Sequence, residues 1–198
     1  LRLALVDGVE DACDALEAGV RACRFETIAL LSGAAQIRAP GWLGRLERAF
    51  RARNGQCIAS PTLLFEDNSI RWAGAWLEGE GTERRICNRF VGYPLDAIGS
   101  LGPVEVAAGA MECCVLARAA FIEAGGFARG YFTTGEKGLD LGLRLRMGGA
   151  PSVWVPEVEI YVVDDGELAR PHLGALAALA DRTSFDRRWA LAVSNMRG

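Results

Sequence analysis

Few side chains in this sequence are of types that do chemistry, and they fall in a handful of places. Cys113 and Cys114 stand side by side and offer a thiolate nucleophile, which needs a base beside it. The chain has a single histidine, His172, and nothing in the sequence sets it near the pair. Buried structural thiols are the stronger reading. Trp72 and Trp76, four apart on a strand, project to one face and could stack on a sugar ring or a nucleobase; core packing of at least one competes with that reading. Two carboxylates, Glu136 and Asp140, flank the expected start of a helix, where Asp140 stabilises the macrodipole and Glu136 is a solvated loop residue. The six cysteines include no Cys-x-x-Cys pair and come with no histidine cluster, so neither a zinc site nor a redox motif is expected.

The elements that must position these residues fit one domain spanning residues 1–198, long enough to bury a substantial core. A net charge of −3 argues against a nucleic-acid binder. Arg45, Arg48, Arg51 and Arg53 read as the solvated face of a helix. No basic leader with an apolar h-region opens the chain, and no run of about 18 apolar residues occurs, so a cytoplasmic chain without a membrane span is expected. A start at Leu1 suggests a fragment or excised domain.

Taken in order, Leu1–Val6 and Thr27–Leu31 are apolar runs of strand length separated by an amphipathic segment, Glu10–Cys23, a pattern that implies a parallel βαβ unit. Ser32–Ala39 is the loop at the carboxyl end of the second run, where open α/β sheets hold ligands. A helix follows from Pro40 to about Arg53, with proline in its first turn. Cys57–Phe65, the turn Glu66–Ser69 and Ile70–Leu77 form a hairpin. The glycine-rich Glu78–Thr82 segment lacks the flanking strand and helix of a phosphate cradle and reads as a loop tip. Val104–Arg146 carries a glycine-bounded strand, a short helix, an irregular loop and a second helix. Ser152–Val155 and Val158–Val163 read as strands separated by Pro156, and Glu167–Ala180 as a helix.

Within that order stand Ala73-Gly74, Gly109-Ala110-Met111-Glu112-Cys113-Cys114, Gly125-Gly126-Phe127, Leu139-Asp140-Leu141-Gly142-Leu143-Arg144-Leu145-Arg146 and Phe185-Asp186-Arg187-Arg188-Trp189. Together they resemble the acceptor-side half of family 2 glycosyltransferases of the GT-A fold. The resemblance implies an α/β, three-layer, nucleotide-diphospho-sugar transferase-like domain with a mixed sheet. Residues 1–103 would hold the early βαβ unit, hairpin and variable excursion, 104–166 the acceptor-side half, and 167–198 C-terminal helices. It begins at what would be the family's third strand, so the nucleotide-binding opening of the fold is expected to be missing.

The same resemblance implies a divalent metal, Mg²⁺ or Mn²⁺, on an Asp-x-Asp-like triplet, a Glu-Asp base and a late histidine. Gly33-Ala34-Ala35, Lys137-Gly138 and Val162-Val163 stand at those places, so no metal cofactor is expected. Glu136 and Asp140 are the remaining catalytic candidates, and Trp72, Trp76, Gly109 and Glu112 the substrate-binding ones, with Met111 and Glu112 shrinking or recharging the sugar pocket. Substituting Glu136 or Asp140 is expected to change stability only modestly. The function implied is a catalytically degenerate binding or interaction module of a larger glycan-synthesis protein, engaging a glycan, a nucleotide-sugar, a partner domain or a second copy. The rivals are an active glycosyltransferase completed by segments outside this chain, and a purely structural or dimerising domain.

Overall fold

The computed structural model describes residues 12–99, 101–163 and 171–196. In chain order these form α1 (Ala12–Ala22), β1 (Thr27–Leu31), β2 (Ala35–Gln36), α2 (Trp42–Ala52), β3 (Ile58–Leu64), β4 (Ile70–Trp72), β5 (Ala75–Glu78), β6 (Arg85–Asn88), β7 (Val104–Val106), β8 (Cys113–Ala117), α3 (Arg118–Glu123), α4 (Thr134–Met147), β9 (Ser152–Val162) and α5 (Pro171–Asn195).

The spine is the parallel pair β3 and β9, running from Ile58 opposite Ser152 to Leu64 opposite Tyr161. Every residue of β3 is buried, as expected of a parallel strand covered on both faces. Each spine strand shares its outer edge between two shorter antiparallel strands: β8 and β4 on β3, β7 and β2 on β9. β1 extends the sheet antiparallel to β8, giving the order β1-β8-β3-β9-β2.

Strand side chains alternate between faces, and the core divides accordingly. Cys113 and Val115 pack with Leu46 and Phe50 of α2, whereas Cys114 and Leu116 pack with Val20 of α1, Phe121 of α3 and Leu141 and Leu145 of α4. The result is a three-layer α/β/α arrangement around a mixed sheet. Leu46 and Phe50 sit one helical turn apart on the apolar stripe of α2, and burying each contributes about 1.5–3 kcal/mol. α4 lies close to the sheet because position 142 is glycine: a Cβ there would stand 2.7 Å from that of Ala108. A separate hairpin, β5 with β6, packs with α4 and α5 through Ile86, Leu143, Phe185 and Trp189.

Several expectations change. Leu1–Val6 lies outside the described residues, so of the expected βαβ unit only α1 and β1 are seen, and the partner observed for β1 is the antiparallel β8. α2 starts at Trp42 rather than Pro40, with Gly41 at its N-cap in left-handed backbone, φ 75°. The expected strand Ile70–Leu77 breaks at Ala73-Gly74. Gly74 has φ +78°, and a Cβ on it would meet Val106 Cγ1 at 2.8 Å, so the chain turns there and leaves the main sheet for the β5–β6 hairpin. Pro156 does not divide two strands. β9 continues through it with a register shift, Pro61 lying opposite Val155 and Thr62 opposite Glu159. α5 absorbs both the expected helix from Pro171 onward and the Phe185–Trp189 motif, while Glu167–Arg170 lies outside the described residues.

Thr62 stitches the bulge together. Its hydroxyl donates to the Pro156 carbonyl (3.2 Å) and accepts from Trp154 Nε1 (3.0 Å), and the residue is fully buried. Thr62→Val keeps the shape but orphans the indole N–H and a carbonyl, and is expected to cost about 1–3 kcal/mol in urea unfolding, with Thr62→Ser close to wild type. Equal midpoints for wild type and Thr62→Val would show that the bulge holds without the hydroxyl.

Candidate functional site

The segments singled out for the metal, the donor sugar and the late histidine come together at the carboxyl end of β1. The Ser32 amide donates to the Glu112 carbonyl (2.7 Å) and the Val163 amide to the Ala34 carbonyl (3.0 Å), so the loop is held between β8 and the end of β9. It also closes on itself: the Ala34 amide donates to Ser32 Oγ (3.2 Å) and the Ala35 amide to the Ser32 carbonyl (3.1 Å). Met111 is buried beside the first turns of α4, its Cγ 3.2 Å from where a Cβ on Gly138 would stand.

These residues do not fit a divalent cation. Gly33, Ala34 and Ala35 carry no ligating side chain, and the Ser32 hydroxyl, the Ser32 carbonyl and the Ala34 carbonyl already accept hydrogen bonds within the fold. Among the described residues, no group of three or more His, Cys, Asp or Glu could hold a metal. Glu112 is half-buried at the edge of the loop, where its carbonyl accepts the Ser32 amide. Gly109 is buried, and its missing side chain serves packing: a Cβ there would lie 2.6 Å from Ser60 Oγ.

Both catalytic candidates sit differently from expectation. α4 begins at Thr134, well before Asp140, so Asp140 does not open the helix and does not act on its dipole. It is wholly buried and binds four groups: Arg144 Nε donates to Oδ2 (2.7 Å), while Trp189 Nε1 (3.0 Å), Arg188 Nη1 (3.2 Å) and the Tyr131 hydroxyl (3.4 Å) all reach Oδ1. Arg144 also donates to the carbonyls of Ala124 and Gly126, so one carboxylate ties α4 to α5 and to the turn after α3. Burial, then the Asp140 charge, raise the Tyr131 phenol above its ordinary pKa. Glu136 is not a solvated loop residue. It lies in the first turn of α4 and accepts from the hydroxyl of the N-cap residue, Thr133 Oγ1, at 2.6 Å.

Asp181 was not singled out in the sequence. From α5, buried, it accepts the amides of Phe132 (2.8 Å) and Thr133 (2.7 Å) just ahead of α4. Arg144 could have been found from its i,i+4 spacing to Asp140, whereas nothing local links Asp181 to a loop so distant in the chain.

The tryptophans do not form one platform. The break at Gly74 separates them: Trp72 packs towards the α2 side and the hairpin cluster, whereas Trp76 packs edge-on to Trp154 and Phe90, with ring centroids 6.1 and 5.9 Å away. The thiols are no better as nucleophiles. Burial, then the Glu112 charge, push Cys113 up to about 12, and burial with the neighbouring Cys113 and Glu112 pushes Cys114 well above the usual value. Raised folded pKa values mean that the stability of the neutral thiols is fully present below pH 9.0 and is lost as pH rises towards 12. His172 lies in α5.

No family model matches the chain. The uncharacterized protein y4gI of Sinorhizobium fredii (strain NBRC 101917 / NGR234) is 27% identical over 148 residues, covering 73% of this chain but 16% of that protein. Among solved structures, the crystal structure of GalNAc-T7 with UDP, GalNAc and Mn²⁺ aligns with a TM-score of 0.55 and 13% identity, over 78% of this chain and 31% of that one. A197 from STIV aligns at 0.43 with 12% identity, over 76% of this chain and 64% of that one. The GalNAc-T7 likeness shows a GT-A-like fold, and the chain spans under a third of the GalNAc-T7 chain and about a sixth of y4gI.

Removing the Asp140 carboxylate leaves two guanidinium groups and an indole N–H facing a buried void. Asp140→Ala is expected to lose about 3 kcal/mol, less than a fully enclosed pair because Arg188 is half exposed, and no ligand should be needed to see the loss. The sequence alone leads to the expectation of a modest effect, and the buried network leads to a larger one. An unfolding midpoint within error of wild type would show that the network is dispensable.

Proposed function

We propose that the chain is a family 2-like glycosyltransferase domain that has lost catalysis and serves as a binding or interaction module in a larger, nucleotide-sugar-using glycan-synthesis protein. The observation that carries this reading is the Ser32–Ala35 loop, whose Ser32 hydroxyl and Ser32 and Ala34 carbonyls are spent on holding the loop itself. A diphosphate leaving group needs cationic neutralisation, and an acceptor hydroxyl needs a base aimed at it. Glu136 is engaged by its own helix cap and Asp140 by the α4–α5 junction. Six free thiols suit a reducing compartment such as the cytoplasm. The enzyme rival draws on Glu112, a half-buried carboxylate at the edge of the loop.

The test is sugar transfer by the complete parent protein from a panel of nucleotide sugars, with every other transferase domain inactivated. Background transfer is expected, unchanged by Glu136→Gln or Glu112→Gln. Measurable transfer that falls by about 10²- to 10⁴-fold in either variant, with stability retained, would install that residue as the base and overturn the reading.

A further inference from the structure

Two clefts adjoin at Leu95, and the smaller of them lies against β9. The larger, about 490 Å³, lies between the β3–β4 turn and Pro94, with Asp67 and Asp96 at its walls. The smaller, about 220 Å³, is lined by Ile98, Leu101 and Pro156, is backed by Trp154, and carries Glu157 and Glu159. No lysine or arginine lines either cleft. Among the described residues Asp96, Glu157 and Glu159 enter no ion pair. Val91, Tyr93 and Leu101, close by in sequence, leave 46%, 55% and 43% of their surfaces exposed, so apolar surface is concentrated here.

Among the described residues, the strand beside the smaller cleft also has an unpaired stretch. On its outer edge β9 pairs with β7 only as far as Trp154 and with β2 only from Tyr161, and no described strand pairs with that edge between them. Pro156, in this stretch, offers no amide to a neighbour.

We propose that this trough, formed by the open outer edge of β9 and the acid-rimmed clefts that meet at Leu95, docks an extended, basic peptide segment of a partner protein. The occupant would lie along the gap between β7 and β2, place small apolar side chains in the clefts, and set lysine or arginine against Asp96, Glu157 and Glu159. The charge pattern selects a cationic occupant over a neutral glycan, because four carboxylates and no cation line the clefts. The inference rests on the reading of the chain as an interaction module.

The experiment is fluorescence anisotropy on the full chain with a labelled octapeptide of alternating lysine and leucine, beside its glutamate–leucine counterpart. Saturable binding of the basic peptide is expected, weakened about tenfold by Asp96→Asn, Glu157→Gln and Glu159→Gln together, the effect of three rim ion pairs. Leu101→Ser should weaken it as well. Neutralising Glu26, Glu80 and Glu123, exposed elsewhere, makes the same change in net charge and should leave binding intact. Equal loss in the two triple variants, equal binding of the acidic peptide, or displacement of the probe by a neutral chito-oligosaccharide would overturn the proposal. Failure here leaves the sugar-transfer result untouched, and transfer activity in the parent would overturn the loss of catalysis without touching this surface.

Discussion

The carboxylate of Asp140 is the constraint on which the acceptor-side half of this domain depends. A buried negative charge persists only if its surroundings satisfy it, and four groups from three parts of the chain converge to do so. Through Arg144 the charge fixes the turn at Gly126, and through Trp189 and Arg188 it seats α5 on α4. Asp181 reciprocates from α5 by holding the Phe132 and Thr133 amides ahead of α4. The junction is therefore electrostatically closed from both helices, with Phe185 and Trp189 supplying its apolar contact.

This arrangement bears directly on chemistry. A general base must reach a substrate proton, and a wholly buried carboxylate already committed to Arg144, Arg188, Trp189 and Tyr131 is held away from one. The same economy governs the loop after β1, where Ser32 supplies both side-chain and backbone acceptors to its own turn while Val163 takes the Ala34 carbonyl. The polar groups of this loop and of the α4–α5 junction are turned inward to hold the two in place.

Much of this fold was legible from local pattern. The strand β3, the turn after it, the loop tip between β5 and β6 and the glycine-bounded β8–α3–α4 stretch all follow periodicity and turn chemistry, as does the burial of Cys113 and Cys114. What escaped depends on contacts far apart in the chain. Gly74 breaks a strand because Val106 occupies the space a side chain would need, and β9 runs on through Pro156 by a register shift, with the Thr62 hydroxyl satisfying the Pro156 carbonyl. The start of α4 was a different failure: the Thr133-x-x-Glu136 capping signature was present, but Gly135 and Gly138 made the segment read as loop. That error moved Asp140 to a helix end and hid its role. Backbone hydrogen bonds join the Ser32–Ala35 loop to Glu112 and to Val163, contacts between segments distant in the chain.

The central claim is that the loop at the end of β1 offers nothing to a metal-bound diphosphate. Calorimetric titration of the chain with uridine diphosphate, with and without Mn²⁺, addresses it most directly. The account predicts the same featureless heats in both titrations and no change when a chelator is added. Micromolar binding that requires Mn²⁺ and disappears with chelator would contradict it, and would mean that Ser32 and the backbone around it rearrange to take the ion.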